Sequence, residues 1–68
     1  MKTKIAERIK ELRDEKKINQ SDLAKEIGVA QSAVSQWEAE INEPKASYIL
    51  LLAYFFDVST DYLLGKED

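Results

Sequence analysis

The stretch QSDLAKEIGVAQSAVSQWE, residues 20–38, decides the fold, because it predicts two short helices joined by a tight turn. Asn19 precedes it as a helix N-cap, and Asp22 follows three residues later, where its carboxylate can accept a hydrogen bond from the cap. Gly28 is expected to end the first helix, since glycine readily adopts the left-handed conformation found at helix ends. The second helix is predicted to begin near Gln31.

The second helix of this pair divides into a packing face and a polar face. At about 100° per residue, Ala33, Val34 and Trp37 fall together on one side. The opposite side carries uncharged hydrogen-bonding side chains within an arc of about 140°; they are Gln31, Ser32, Ser35 and Gln36. One side of this helix is therefore predicted to be buried, and the other to offer hydrogen bonds to a ligand.

These residues resemble the helix-turn-helix of the phage-repressor family, the Cro and lambda-repressor-like or XRE proteins. Within the motif, the resemblance rests on Gln20, Ala24, Gly28, Val29, Val34 and the run Ser35-x-Trp37-Glu38. Downstream it rests on Pro44, Ile49, Leu52, Ala53 and Val58-Ser59-x-Asp61-x-Leu63-Leu64-Gly65. It covers the chain from Ile5 to Gly65. It implies an all-α fold, a compact bundle of five short helices in one domain (1–68, ordered core about 3–65), with helices 2 and 3 as the helix-turn-helix.

Capping residues predict the remaining helices. Thr3 is expected to cap a first helix from about Lys4 to Lys16, a fourth helix covers roughly Ala46 to Phe56, and Ser59 caps a last helix over 60–64. The fourth helix contains the run YILLLAYFF, which is apolar on every side and so predicts burial all round, with part of its surface packed on helix 1, helix 5 or another chain.

The loop between helices 3 and 4 departs from the family pattern. No glycine follows Trp37 and Glu38, so Asn42 is expected to take the left-handed position there.

The resemblance implies DNA recognition, with helix 3 in the major groove of double-stranded DNA. Base readout is expected from Gln31, Ser32, Ser35 and Gln36, and phosphate contacts from Gln20, Asn42 and Lys45. The family also implies an ion pair between Arg13 and Glu38 that braces helix 1 against helix 3, and a hydrogen bond from Gln20 that steadies Gln31.

Family members usually pair on DNA, which implies a homodimer on a palindromic operator. Excess apolar surface on helices 4 and 5 offers an interface, for which the candidates are Tyr54, Phe55, Tyr62 and Leu64. The alternative is that these four side chains only fill the core of a monomer.

Composition excludes several other classes of function. The chain has 68 residues, no cysteine and no histidine, so disulfides and the usual zinc sites are excluded, and we expect no metal and no cofactor. With no such nucleophile or base and no glycine-rich phosphate loop, an enzyme is not expected. No stretch is apolar for the roughly 20 residues that span a bilayer, so we expect no membrane partner and a cytoplasmic location.

The net charge of −3 predicts weak non-specific binding to nucleic acid, because basic patches are the usual footprint of such binding. The alternative to a DNA-binding function is therefore a protein-binding one. In that hypothesis the chain is a helix-turn-helix module of the antitoxin or antirepressor type that binds DNA weakly or not at all. A designed or truncated scaffold on this fold is a third possibility.

Overall fold

A computed structural model of the chain describes residues 3–66, and over that range it contains five helices and no strand. They are α1 (Ile5–Lys16), α2 (Gln20–Ile27), α3 (Gln31–Glu38), α4 (Ala46–Phe56) and α5 (Thr60–Leu64). The predicted all-α architecture is confirmed, while the chain ends at 1–2 and 67–68 lie outside the described residues. From residue 3 to residue 66, each helix is too short or too polar to cross a membrane.

Every helix supplies one fully buried side chain to a single core. These side chains are Ile9, Leu23, Val34, Leu52 and Leu63. Trp37, Phe56 and other buried residues complete the cluster. Because the core draws on all five helices, the helix-turn-helix is held by the rest of the chain rather than by its own short elements, whose isolated stability is marginal at this length.

The capping signals of α2 are present as predicted. The Asp22 backbone N–H donates to Asn19 Oδ1 at 2.8 Å, and the Asn19 backbone N–H donates to Asp22 Oδ2 at 3.2 Å. Gly28 ends the helix at φ 85°, where a residue with a side chain would be strained. The Val29 N–H closes the turn on the Ala24 carbonyl at 3.0 Å, so α3 starts in a fixed direction.

The prediction that Asn42 takes the left-handed position is wrong, because Glu40 takes it at φ 61°. The Glu40 N–H donates to the Trp37 carbonyl at 3.2 Å and the Ile41 N–H to the Gln36 carbonyl at 3.0 Å. This pair of bonds is the Schellman ending, which fixes the left-handed residue by its distance from the last helical turn and not by its chemistry.

The start of α1 also differs slightly from the prediction. Lys4 occupies the N-cap position, and the Thr3 hydroxyl lies 3.4 Å from the Ile5 N–H. The Ser59 cap of α5 is present, with the Tyr62 N–H donating to its hydroxyl at 2.9 Å.

Within residues 3–66 the chain itself does not bury α4 on all sides. Leu52, Ala53 and Phe56 are buried, but Leu50, Leu51 and Tyr54 on the other side are exposed. The physical reason is that α2 and α5 pack against α4 from the core side, and no element within residues 3–66 covers its opposite side.

Candidate nucleic-acid interface

The polar face of α3 is open to solvent along its whole length. Its four side chains, which we call the polar strip, are Gln31, Ser32, Ser35 and Gln36, and all are exposed. Val34 and Trp37 lie on the other face and are buried. The Trp37 ring packs on Tyr48 of α4, with 5.8 Å between ring centroids and 40° between the planes. This packing holds the polar strip outward on a rigid helix.

Arg13 and Glu38 form the brace between α1 and α3. Arg13 Nε donates to Glu38 Oε2 at 2.8 Å, and Arg13 Nη2 donates to Glu38 Oε1 at 3.0 Å. Arg13 Nη1 also donates to the Ile18 carbonyl at 2.9 Å, which ties the α1–α2 connection to the same group. The two-pronged geometry fixes the guanidinium and the carboxylate in one plane, so it orients α3 as well as attracting it.

Glu38 is buried yet ionised. Burial alone would raise the pKa of Glu38, but hydrogen bonds from Arg13 and Gln20, with the charge of Arg13, outweigh it and hold the pKa below its ordinary value. The bond to Glu38 correspondingly raises the pKa of Arg13. Each partner thus keeps the other charged in a site that would otherwise disfavour a lone charge.

Gln20 connects this brace to the polar strip. Its Nε2 donates to Glu38 Oε1 at 3.1 Å, and its Oε1 accepts from Gln31 Nε2 at 3.4 Å. A continuous chain of hydrogen bonds therefore runs from Arg13 on α1 to the first residue of α3. The bond with Gln20 favours one orientation of the Gln31 amide before any ligand arrives, which lowers the entropy that a ligand contact would cost.

Asn42 reaches back from the α3–α4 loop to the polar strip. Its Nδ2 donates to Gln36 Oε1 at 2.9 Å. Asn42 and Gln36 therefore act as one group at this end of the strip. Lys45, the other phosphate candidate in this loop, is exposed at the N-terminus of α4.

Acidic side chains border this loop. Glu40 is exposed at the end of α3, and the Thr3 hydroxyl donates to the exposed Glu43 carboxylate. Residues 19–48 carry two lysines against five acids, a net of −3. The surroundings of the polar strip therefore attract phosphate weakly, and any affinity must come largely from the strip itself.

The four dimer candidates are not equally accessible. Tyr54 is exposed, whereas Phe55, Tyr62 and Leu64 are partly buried against the core of the same chain. Arg8 lies 4.2 Å above the Tyr62 ring, and the Lys16 ammonium lies 5.1 Å from the Phe55 ring.

The sequence did not lead us to predict that Leu50 is exposed or that Asn42 forms a hydrogen bond with Gln36. A helical projection of α4 centred on Leu52 and Phe56 would have placed Leu50 on the far side of the helix. No local sequence pattern predicts the hydrogen bond from Asn42 to Gln36, because this bond depends on how the α3–α4 loop folds back onto α3.

Comparisons with known proteins show that this chain is similar to regulators from bacteria and a phage. A helix-turn-helix family model matches residues 9–63. The uncharacterised HTH-type transcriptional regulator YobD of Bacillus subtilis is 39% identical over 62 residues, which cover 91% of this chain and 55% of YobD. Repressor protein C2 of Salmonella phage P22 is 42% identical over 63 residues, 93% of this chain and 29% of the repressor.

Two solved structures with bound DNA have the same fold. The P22 c2 repressor in complex with a synthetic operator superposes with a TM-score of 0.86 at 40% identity, covering 93% of this chain and 96% of that one. The biofilm regulator SinR in complex with DNA gives a TM-score of 0.80 at 36% identity, covering 88% and 97%. The chain spans about half the length, or less, of the curated relatives that it matches.

Proposed function

Since this chain belongs to the XRE-type helix-turn-helix family, we propose that it binds double-stranded DNA by sequence and acts in the cytoplasm as a transcriptional regulator, a repressor. The observation that carries the proposal is the polar strip, four exposed amide and hydroxyl side chains on a helix whose other face is buried. Two relatives in this family are solved on DNA, one of them on an operator.

In this proposal α3 lies in the major groove and the polar strip contacts base edges. A glutamine amide can both donate and accept, which matches N7 and N6 of adenine. Gln31 and Gln36 are therefore proposed to read A·T base pairs, while Ser32 and Ser35 reach bases or phosphates. No arginine stands on this face, so the usual two-pronged contact to guanine is missing.

Phosphate contacts are proposed for groups at the edges of the strip. The candidates are Gln20, Asn42 and Lys45. Gln20 and Asn42 are already bonded to strip residues, so each would link a phosphate to a base-reading side chain. Such contacts fix the position of a protein on the duplex without selecting its sequence.

We further propose that two copies bind a palindromic operator. A single domain of this size offers a small interface, and a dimer matches half-sites about one helical turn apart. Of the four candidate side chains, Tyr54 supports this proposal best, because it is 88% exposed.

The second candidate function is a protein-binding module, and the exposed apolar side of α4 is the observation that favours it. The two functions use different surfaces, so substitutions separate them. Changing the polar strip should abolish DNA binding and leave the binding of a protein partner through α4 intact.

The test begins with duplexes selected from a random pool by the intact chain. The double variant Gln31→Ala, Ser32→Ala is then titrated against the selected duplex by fluorescence anisotropy. We expect a loss of at least about 30-fold in affinity, from two base contacts of roughly 1–3 kcal/mol each. The matched control Glu11→Ala, Glu15→Ala alters two exposed residues of α1 and should bind at least as well as the parent.

Two results would contradict the proposal. One is a double variant that folds and binds as tightly as the parent. The other is a set of selected sites in which guanine contacts dominate the positions under Gln31 and Gln36.

A further inference from the structure

The α3–α4 loop, residues 39–45, holds Asn42 beside the polar strip. Glu40 fixes the start of this loop by its left-handed conformation, and the buried Pro44 fixes its end. The three residues between them are exposed and belong to no helix. Their backbone conformation decides where the Asn42 amide lies. A contact that restrains these three residues therefore acts on the polar strip as well.

Thr3 makes such a contact from 40 positions away in the sequence. Its hydroxyl donates to the Glu43 carboxylate, and a hydrogen bond with a carboxylate acceptor is roughly twice as strong as one between neutral groups. Thr3, Asn42 and Glu43 also line one cleft, whose apolar lining includes Ile5 and Trp37. The bond therefore ties the loop to the residues just before α1.

Thr3 is itself held in place by its neighbour Lys4. The Lys4 backbone N–H donates to the Leu64 carbonyl, at the end of α5, over 3.3 Å. The Lys4 side chain lies so close to Gly65 that a Cβ added to this glycine would stand 2.8 Å from the Lys4 Cγ. Because α5 packs on the core through Leu63, these contacts give Thr3 a fixed support.

We propose that Thr3 is a positioning residue for base selection. By holding Glu43 it fixes the adjacent Asn42, and Asn42 in turn fixes the amide of Gln36. This role rests on the proposed function, in which Gln36 meets a base pair. Adjacent Cα atoms are about 3.8 Å apart, so a displacement of Glu43 moves Asn42 with it. The bond from Asn42 Nδ2 to Gln36 Oε1 measures 2.9 Å and is lost beyond about 3.5 Å, so a movement of roughly 0.6 Å releases Gln36.

Glu43 has a second effect on DNA binding that differs from this one. Its negative charge repels phosphate, which weakens binding to every duplex alike and selects no base pair. The Thr3 hydroxyl carries no charge, so its removal leaves that repulsion unchanged. The hydroxyl also lies 3.4 Å from the Ile5 N–H, and loss of this contact would loosen the first turn of α1 without favouring any base pair. Discrimination between base pairs is therefore the quantity that reports the positioning role.

The test compares binding to four duplexes that differ only at the base pair under Gln36, identified as the one whose preference is lost in Gln36→Ala. The variant Thr3→Val keeps the shape of the side chain and removes the hydroxyl, while the matched control Thr3→Ser keeps the hydroxyl. Thr3→Val should lower the discrimination among the four duplexes by about threefold or more, and Thr3→Ser should discriminate as the parent does. Unchanged discrimination in Thr3→Val would overturn the inference, even if all four affinities fall together.

The acceptor side of the bond gives an independent variant. Glu43→Ala removes the acceptor and leaves the contact between Thr3 and Ile5 in place. It should lower discrimination as Thr3→Val does, while the loss of negative charge raises the affinity for all four duplexes. The double variant should discriminate no worse than either single variant, because both substitutions remove the same bond. Losses of discrimination that add in the double variant would overturn the inference.

Nuclear magnetic resonance of the free chain separates failure of this inference from failure of the proposed function. Without DNA, the side-chain amides of Asn42 and Gln36 should have lower order parameters in Thr3→Val than in the parent, and unchanged ones in Thr3→Ser. Equal order parameters in all three chains would overturn the inference and leave DNA binding by the polar strip standing. If the amides become mobile as expected but the parent retains no duplex, the proposed function fails, and the role of Thr3 in base selection fails with it.

Discussion

At the scale of single residues, Glu38 governs how α3 is held. It is the one charged residue among the buried side chains of residues 3–66, and its carboxylate accepts hydrogen bonds from Arg13 on α1 and Gln20 on α2. The same carboxylate therefore stabilises the fold and, through Gln20, orients Gln31. A change at Glu38 should affect stability first and DNA binding second.

The variant Glu38→Gln should lower the free energy of unfolding by about 2 kcal/mol at neutral pH. It loses the charge that Arg13 faces, although Arg13 is exposed enough to recover some hydration, so the loss falls below the 3–5 kcal/mol typical of fully buried pairs. Urea denaturation would measure the change. Glu11→Gln, an exposed carboxylate on α1, serves as the control and should change stability little.

The effect of Glu38 should depend on pH in one direction. Its folded pKa lies below the unfolded value of about 4.5, so its stabilising contribution is complete above pH 4.5 and is lost as the pH falls through the lower, folded pKa. The stability difference between the parent and Glu38→Gln should therefore shrink in acid. A difference that stays constant from about pH 7 to about pH 3 would show that the charge contributes nothing.

Asn42 should influence base selection and not only affinity. Its bond to Gln36 Oε1 fixes one end of the polar strip. Asn42→Ala frees that amide to rotate, so discrimination among the four base pairs under Gln36 should fall by up to about tenfold. The measurement compares affinities for four duplexes that differ only at that base pair.

Lys45→Ala is the control for this prediction, because loss of a phosphate contact weakens binding to all four duplexes equally. If Asn42→Ala also weakens all four equally, Asn42 is a phosphate contact and does not position Gln36.

At the scale of helices, the end of α3 has a non-glycine residue, Glu40, in a strained backbone conformation. Glu40 holds φ 61°, which costs a residue with a side chain roughly 1 kcal/mol more than glycine. Glu40→Gly should therefore raise the free energy of unfolding by up to about 1 kcal/mol. The neighbouring Ala39 has an ordinary φ of −86°, so Ala39→Gly should lower it. Thermal or urea denaturation of both variants would decide, and a Glu40→Gly variant less stable than the parent would contradict this account.

Helix ends also show which parts of the fold can be predicted from sequence. The capping box at Asn19, the glycine at Gly28 and the Ser59 cap act within a few residues, so they predicted α2 and α5 correctly. Lys17 and Glu40 take left-handed positions that no residue preference predicts, whereas Asp57 is of a type found there more often than most. At Lys17 and Glu40, the geometry of the helix end and the packing that follows it overrode local preference.

At the scale of the whole molecule, the exposure of α4 could not be predicted. Its sequence is apolar on every side, so periodicity carried no information about which side would be covered. Only the positions of α2 and α5 in the assembled chain decide that. The candidate site, by contrast, could be predicted from the sequence. The order of residues in α3 already separates the polar strip from the apolar side that carries Val34 and Trp37.

The charge of the whole chain makes a prediction about salt. With a net charge of −3 and few basic groups near α3, few phosphates can be neutralised. Each phosphate neutralised by a lysine or arginine contributes about −0.9 to the slope of log K against log salt, and Lys45 is the one basic side chain among the proposed phosphate contacts, so a slope of about −1 per bound domain is expected. Anisotropy titrations across a salt series measure it. A slope near −10 would mean that basic groups outside the proposed interface carry the binding.

The most direct test of the central claim is nuclear magnetic resonance of the labelled chain as a selected duplex is added. If the polar strip meets base edges, the side-chain amides of Gln31 and Gln36 and the backbone amides of α3 should shift most. The exposed side of α1, around Glu7 and Glu11, should stay unchanged. Shifts that avoid α3, or no shifts with any duplex even in dilute buffer, would contradict the claim.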